Sequence, residues 1–426
     1  MTLMIFLGSL LGSMALGIPI AFALLLVSVA LMLHLDLFDA QIIAQNLLNG
    51  ADSFPPMAVP FFMLAGEVMN AGGLSKRIVN IAMALVGHKR GGLGYVAIIA
   101  SCLLASLSGS AVADAAALAA LLVPMMVHAG HNRSHSAGLI AAGGIIAPII
   151  PPSIGFIVFG VASGVSISKL FLAGIVPGLM LGAALAIAWW FVSRSENVEP
   201  PPKRSGKEIL RTLVDGSWAL GLPLIIVFGL KFGIFTPTEA AVVAAVYALF
   251  VSLVIYRELK INQLYELVLS SAKTTSVVML LVAAAMVSSW LVTIAELPDQ
   301  LAALLEPFMD NPTLLLMVIM LLVIMVGTVM DMTPTILILT PVLMPAVTMA
   351  GIDPVYFGVL FLINTAIGLI TPPVGTVLNV VCGVSKISMD EIIRGVWPFM
   401  LAQFVVLLLL VLFPQLVLVP LSFLTR

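Results

Sequence analysis

The chain has 426 residues, of which 62% are hydrophobic and 9% charged, and its mean hydropathy is +1.21. So few polar residues cannot cover a water-soluble globule of this size, so we expect the protein to lie in a lipid bilayer. The formal net charge of -2 gives no indication of nucleic-acid binding. The two cysteines, Cys102 and Cys382, lie far apart in apolar stretches, which argues against a disulfide framework or a zinc site.

The first 35 residues are apolar and show neither a basic leading segment nor a small-residue cleavage site, so we interpret them as membrane helix. We favour two short spans interrupted at Gly17-Ile18-Pro19, with the N-terminus outside. A further span is predicted near residues 54 to 71. The stretches Leu74 to Val86 and Leu297 to Met309 group their polar residues on one side. Such helices lie along a membrane surface more often than they cross it, so we expect two arms that brace a mobile core.

A long apolar stretch from Gly91 to Val127 has two basic ends. His88-Lys89-Arg90 precedes it, and the segment from His131 to His135 follows it. Because basic loops are typical of the cytoplasmic side, both ends are expected there, which makes the stretch a re-entrant helical hairpin. Its middle, Ser106 to Ser110, is rich in residues that disfavour a helix and suits the tip.

A second hairpin is predicted from Asn311 to Ile352. Its acidic or neutral flanks suit entry from the opposite, periplasmic side, and its tip would be Gly327 to Asp331. In each hairpin an aspartate at or just after the tip precedes a proline by ten positions. Downstream, the pairs Pro151-Pro152 and Pro372-Pro373 each precede another proline by 25 positions. These landmarks predict an inverted repeat in which each half contains one re-entrant hairpin and one broken helix.

The central linker, Ser193 to Gly216, is the one clearly aqueous segment. It contains three consecutive prolines and five of the eighteen Lys and Arg residues. By the positive-inside rule we expect it to be cytoplasmic. The fold class predicted from these features is an all-α multi-pass membrane protein.

The predicted helix breaks suggest where ions and substrate bind. A break inside a bilayer costs several kcal/mol per unpaired backbone group, so it normally lines a cavity or binds a ligand. Freed carbonyls and hydroxyls suit a sodium ion, and helix N-termini suit a carboxylate. We predict one cation site at Ser106, Ser108, Gly109, Ser110, Pro151 and Pro152, and a second at Gly327, Thr328, Asp331, Thr371, Pro372 and Pro373. Candidate anion contacts, assigned from position, are Ser153, Thr333 and Thr376.

Each of these features also has a structural interpretation. The proline pairs can be packing kinks, and the serine-rich tip can allow close helix packing. Asp114 and Asp331 either cap the outgoing helices or take part in ion or proton coupling, and the sequence does not separate the two. Scaffold salt bridges or partner contacts are the commoner use for Glu67, Glu239, Lys273 and Glu296. We interpret the histidines His128, His131 and His135 as part of a solvated loop and not as a metal cluster.

Four motifs in order resemble a known family. They are FFMLAGE at 61–67, SGSAVADAAALAALLVPMM at 108–126, GGIIAPIIPPSIGFIVFG at 143–160 and TPPVGT at 371–376. Together they resemble the large membrane subunit of tripartite ATP-independent periplasmic (TRAP) transporters, the DctM family. The resemblance covers essentially the whole chain.

The resemblance implies a scaffold and a transport domain that moves like an elevator, in the bacterial inner membrane. It also implies a sodium gradient as the energy source, no cofactor, and a small organic anion such as a sugar acid or dicarboxylate as the substrate. The implied partners are a separate small four-helix membrane subunit and a periplasmic substrate-binding protein. The domains would be scaffold half 1 at 1–90, transport half 1 at 91–192, the linker at 193–216, scaffold half 2 at 217–310 and transport half 2 at 311–426.

Other functional classes fit less well. The sequence has no GxxxxGK[ST] phosphate loop, so the chain is not itself the ATPase of an ABC system. It has no HExxH or GxSxG motif, which argues against an intramembrane enzyme. The main alternative is a stand-alone sodium symporter of the divalent-anion type, whose members share the paired hairpins and need no periplasmic binding protein.

Overall fold

The computed structural model describes residues 2–52, 55–194, 196, 198 and 205–425. This part of the chain is helical, with no β-strand, as the sequence predicts. Its twenty α-helices are α1 (Thr2–Ala15), α2 (Ile20–His34), α3 (Ala40–Ala51), α4 (Ala58–Ala71), α5 (Leu74–Val86), α6 (Gly92–Ser108), α7 (Ala111–His128), α8 (Arg133–Gly144), α9 (Ile154–Ser163), α10 (Ile167–Arg194), α11 (Gly206–Lys231), α12 (Pro237–Phe250), α13 (Leu264–Ile294), α14 (Leu297–Met309), α15 (Pro312–Gly327), α16 (Met332–Met349), α17 (Pro354–Gly368), α18 (Thr376–Ser385), α19 (Met389–Leu412) and α20 (Gln415–Leu424).

Seven helices among the described residues are long and apolar enough to cross a membrane. They are α7, α10, α11, α12 with the π turn that extends it, α13 with the 3-10 turn before it, α16 and α19. The pair formed by α4 and α5 passes the same test but is bent by 64°. The chain is therefore a multi-pass membrane protein. Because α7 and α16 qualify as spans by length and composition, re-entry of the two hairpins stays a prediction from their flanking charges.

The second half of the chain repeats the helix order of the first. In each half, two helices of 16 to 18 residues precede a third helix, a loop with a proline pair, a helix of 10 residues and a helix of 24 or 28 residues. Helix α7 packs against α18, and α16 packs against α9. Helix α7 corresponds to α16, and α18 corresponds to α9, so exchanging the two halves turns one contact into the other. Repeats related by a two-fold axis show this relation. The opposite orientation of the halves across the membrane stays a prediction.

The first predicted arm, α5, is fastened to the second half of the chain by Arg77. Its guanidinium lies 2.7 Å from Glu258 Oε1 and 3.3 Å from Asp215 Oδ2, and its Cζ lies 3.6 Å from the centre of the Tyr256 ring. The apolar face of α5 is buried, with Ile78 fully covered. The arm therefore binds α11 and the loop after α12 through one polar side chain.

Some boundaries differ from the sequence prediction. The N-terminal segment is two helices that break at Gly17 to Pro19, as favoured. Helix α3 was not predicted, although Asp39 accepts a hydrogen bond from the backbone N–H of Gln41 (2.7 Å) and starts it. The apolar stretch at residues 396 to 420, which the sequence predicts as one span, is interrupted at Pro414, which has no N–H to continue α19.

The central linker is shorter than predicted. Helix α10 continues to Arg194, and α11 already begins at Gly206, with Ser205 and Glu208 forming a capping box. Residues 195, 197 and 199–204, which include the basic pair Lys203 and Arg204, lie outside the described residues. So does residue 54, at which the span before the first arm was predicted to begin.

Candidate ion and substrate site

The tip of the first hairpin lies on the Pro151-Pro152 loop of the same half. Gly109, between α6 and α7, has a φ of +61°. A Cβ atom on Gly109 would lie 2.6 Å from the carbonyl oxygen of Pro152. Only glycine permits both that backbone conformation and that approach. The backbone of the tip thus lies directly against a carbonyl oxygen of the loop, which is the type of ligand that a cation site uses.

A buried aspartate and two serines organise this tip. The Ser108 hydroxyl donates to Asp114 Oδ1 (2.5 Å), and Ser110 Oγ accepts from the backbone N–H of Ala113 (3.4 Å). Ser110 is therefore the cap of α7, and Asp114 is not. Asp114 is only 4% exposed, and its Oδ2 has no hydrogen-bond partner among the described residues. A buried oxygen without a partner is what a bound cation or water would satisfy. Ser106 donates to Leu103 O (2.6 Å), which leaves its oxygen lone pairs free.

The tip of the second hairpin lies on the Pro372-Pro373 loop in the same way. A Cβ atom on Gly368 would lie 2.7 Å from the carbonyl carbon of Gly327, so the backbones of α15 and α17 touch where both helices end. The backbone N–H of Gly375 donates to the carbonyl oxygen of Thr328 (3.4 Å). The hydroxyls of Thr328 and Thr371 donate to carbonyls of their own helices. Both predicted clusters are thus brought together, while their ion-binding role stays a prediction.

The two clusters differ in exposure. Pro151 and Pro152 are buried, whereas Pro373 and Asp331 are exposed. Asp331 occupies the N-cap position of α16, but its side chain makes no capping hydrogen bond. The capping interpretation of this residue is therefore wrong. Asp331 instead lines a cavity between the two tips.

This central cavity has a volume of about 240 Å3. Three helices begin at its wall: α7 with Ser110 to Val112, α9 with Ile154 and Gly155, and α16 with Asp331 to Thr333. The rest of the lining includes Met63 on α4, Thr274 and Val278 on α13, and Pro148 and Leu369. Helix N-termini present partial positive charge, so three of them around one small cavity suit a carboxylate.

The predicted anion contacts lie in different places. Thr333 lines the central cavity. Ser153 is fully buried and caps α9: its Oγ accepts from Phe156 N (3.1 Å) and donates to Pro148 O (2.5 Å). Thr376 begins α18, and its Oγ1 is buried without a hydrogen-bond partner in the described part of the chain. Of the three, only Thr333 is among the residues that line the cavity.

Sequence reasoning missed three polar side chains on the helices that form these sites. Asn364 on α17 donates to Met320 O (2.5 Å), and its Oδ1 is buried with no partner among the described residues. Ser101 on α6 has an equally unpaired hydroxyl beside Gly143. Thr274 faces the cavity from α13. Each of them is a single polar residue in an otherwise apolar helix. Such a residue indicates a binding site only when the packing of the neighbouring helices is known.

The histidine loop is less solvated than predicted. His131 is 5% exposed, packs on the Trp189 ring at 5.3 Å, and lies 2.6 Å from Glu196 Oε2. His135 Nδ1 lies 3.3 Å from Glu196 Oε1. Burial alone would raise the pKa of the Glu196 carboxyl, but hydrogen bonds from both imidazoles and from the Asn132 N–H bring it down to about 2. Within the described residues, no group of three His, Cys, Asp or Glu side chains is placed to hold a metal ion.

Comparison with known proteins identifies the family. Residues 7–416 match the family model described as the tripartite ATP-independent periplasmic transporter, DctM component. The chain is 60% identical over 422 residues to the 2,3-diketo-L-gulonate TRAP transporter large permease protein YiaN of Escherichia coli, with 99% of each chain covered. It is 40% identical to the sialic acid TRAP transporter large permease protein SiaM of Vibrio cholerae, with 95% of each covered.

A solved structure shows the same fold. The YdaH transporter of Alcanivorax borkumensis superposes with a TM-score of 0.67 over 89% of this chain and 90% of that chain, at 14% sequence identity. The family match and the two relatives span nearly the whole sequence, including both hairpin tips and both proline-pair loops. The chain therefore belongs to the DctM family, the large membrane permeases of TRAP transporters.

Proposed function

We propose that this permease moves a small organic anion into the cell and that a sodium gradient drives the movement. The observation that carries the proposal is the central cavity, where three helix N-termini surround a space of about 240 Å3 and Asp331 supplies a carboxylate. A substrate carboxylate gains from the helix N-termini and from the Thr333 hydroxyl. Ser153 and Thr376, which do not line this cavity, stay predicted contacts.

Asp331 supplies a reason for coupling. Two like charges about 4 Å apart repel by about 4 kcal/mol at an effective dielectric constant of about 20, which would weaken anion binding roughly a thousandfold. A cation beside Asp331 removes most of that repulsion. The anion therefore binds well only when the second cation site is filled, which is the thermodynamic linkage that a symporter needs.

The coupling ions are proposed to bind where each tip meets its loop. The first site would use oxygens of Ser106, Ser108, Gly109 and Ser110 with the loop of Pro151 and Pro152. The second would use Gly327, Thr328 and Asp331 with Thr371, Pro372 and Pro373. Both tips are held against their loops by glycine contacts, which supports fixed carbonyl positions. Asn364 Oδ1 and Asp114 Oδ2 are further candidate oxygens.

The cavity wall suggests how the substrate moves. Part of the lining comes from the hairpin tips and α9, in the proposed transport domain (91–192 and 311–426), and part from α4 and α13, in the proposed scaffold (1–90 and 217–310). Sliding of the first domain against the second would carry the bound anion across the membrane, as in an elevator. The arm α5, fastened through Arg77, would keep the scaffold rigid during this movement.

The substrate and partners are proposed from the relatives. The relative at 60% identity is named for 2,3-diketo-L-gulonate, which favours a sugar acid over a dicarboxylate. The TRAP family supports a separate small four-helix membrane subunit and a periplasmic substrate-binding protein as partners. The location would be the bacterial inner membrane, with the central linker in the cytoplasm.

A stand-alone divalent-anion-type sodium symporter is the second candidate. The observation in its favour is the pair of hairpins whose tips meet at one cavity, an arrangement that members of that group share. The two functions differ in whether transport requires a periplasmic binding protein.

Uptake into proteoliposomes separates the two functions. The permease and its small subunit are reconstituted, and uptake of radiolabelled sugar acids is measured with and without the binding protein and an inward sodium gradient. Uptake that requires both supports the proposal. Uptake by the permease without either partner supports the stand-alone symporter, and uptake that ignores sodium contradicts both.

A further inference from the structure

A second cavity of about 600 Å3, the basic groove, opens where the arm joins the first hairpin. It lies between the loop from α5 to α6, the first turns of α6 and the last turns of α10. Its lining includes Lys89 and Arg90 from the loop and Arg194 from the end of α10. It shares no residue with the central cavity, so it is a separate site.

The groove changes from charged to apolar with depth. Lys89, Arg90 and Arg194 lie at the ends of helices, where a membrane protein meets the headgroup layer. Ile98 and Ala186 lie about two turns further along α6 and α10, which is about 10 Å at 1.5 Å per residue. This is the order in which a phospholipid presents its phosphate and its acyl chains. A soluble anion would use the charged rim and leave the apolar wall unexplained.

Within the part of the chain that the structure describes, the three cations lack an anionic partner. Arg90 donates to the backbone carbonyl of Arg194 (3.3 Å), and the Arg194 guanidinium lies 3.6 Å above the Trp190 ring. Lys89 is exposed. None of the three forms an ion pair with a carboxylate among the described residues, and no Asp or Glu lines the groove. By contrast, Arg77 on the same arm has two carboxylates. Grouped cations without counter-charge favour a bound anion.

We propose that the basic groove binds one anionic phospholipid. Its phosphate would contact Lys89, Arg90 and Arg194, and one acyl chain would lie along Ile98 and the Trp190 ring. Basic pockets between membrane helices at the headgroup level are a recurring form of anionic lipid site. The lipid would join the end of the arm to the transport domain at the point where the two meet.

Native mass spectrometry of the purified permease tests the site. Binding of dioleoyl phosphatidylglycerol is compared with that of dioleoyl phosphatidylcholine. Each cation near an anionic headgroup is worth roughly a fivefold change in affinity, so Lys89→Gln/Arg90→Gln/Arg194→Gln should weaken phosphatidylglycerol binding about a hundredfold and leave phosphatidylcholine unchanged. The charge-preserving Arg90→Lys/Arg194→Lys should retain most of the affinity.

A matched control carries the same charge loss elsewhere. Lys207→Gln/Arg211→Gln/Lys231→Gln removes three exposed cations of α11 and should bind phosphatidylglycerol like the wild type. Equal binding by the groove variant and the wild type would overturn the proposal. Displacement of the lipid by millimolar inorganic phosphate would show that the groove holds a soluble anion, which also overturns it.

Discussion

Replacing Gly109 by alanine tests whether the contact between tip and loop forms an ion site. Alanine at a φ of +61° costs about 1–2 kcal/mol in backbone strain. Its Cβ would also lie 2.6 Å from the Pro152 carbonyl oxygen, whereas such contacts are essentially never under 3.0 Å, so tip and loop must separate by about 0.4 Å. Weakening one carbonyl contact to a charged partner is worth about 1.5 kcal/mol, or roughly tenfold in affinity.

Gly351→Ala is the control for backbone strain. Gly351 has a φ of +70° and nothing within 4 Å of its Cβ position, so alanine there adds the strain without the clash. We measure the sodium concentration for half-maximal uptake, together with the thermal unfolding midpoint of the purified protein. Gly109→Ala should raise the sodium requirement about tenfold, and Gly351→Ala should leave it unchanged. If both variants show the wild-type sodium response, the tip is not an ion site.

Three further predictions concern single side chains. Ser110→Ala and Thr328→Ala should each raise the sodium concentration for half-maximal uptake, by about tenfold if the hydroxyl is a ligand. Wild-type sodium dependence in both variants would show that these residues do not belong to the ion sites. Asp331→Asn should raise substrate binding in choline at least tenfold, because the carboxylate that repels the anion in the absence of sodium is gone. Asp353→Asn should be nearly silent, because asparagine also caps a helix; equal effects of the two variants would refute the coupling role. Glu196→Gln should lower the thermal midpoint by a constant amount above about pH 4.5. The difference in midpoint between wild type and variant should shrink as pH falls toward 2, because the pKa of this carboxyl is lowered in the folded protein from 4.5 to about 2. A difference that is unchanged down to pH 3 would show that the charge of Glu196 does not stabilise the fold.

The helix breaks were predictable because local chemistry encodes them. Gly109 and the two proline pairs, Pro151-Pro152 and Pro372-Pro373, end helices whatever their tertiary surroundings, and all three positions are breaks in the structure. Their recurrence at matched spacing also allowed the repeated helix order to be predicted. The family followed from motifs that surround the same breaks.

The cavity was only partly predictable. Thr333 could be placed beside the second tip from sequence spacing, but the contribution of Thr274 depends on how α13 packs against the hairpins. In the sequence Asn364 is one polar residue in an apolar run, and only the structure shows that it donates a hydrogen bond to α15. The histidine loop was misjudged because Glu196, its partner, lies more than 60 residues away in the sequence. Pairings of this kind arise from packing and leave no local pattern.

Sodium-dependent substrate binding to the purified permease tests the central claim most directly. Binding of the radiolabelled sugar acid that supports uptake is measured in sodium and in choline, for the wild type, Val278→Trp and Val277→Trp. Val278 lines the cavity, and its neighbour Val277 is 68% exposed and does not. We predict binding in sodium only, lost in Val278→Trp and retained in Val277→Trp. Equal binding in choline, or wild-type binding by Val278→Trp, would contradict an anion site that sodium completes between the two hairpin tips.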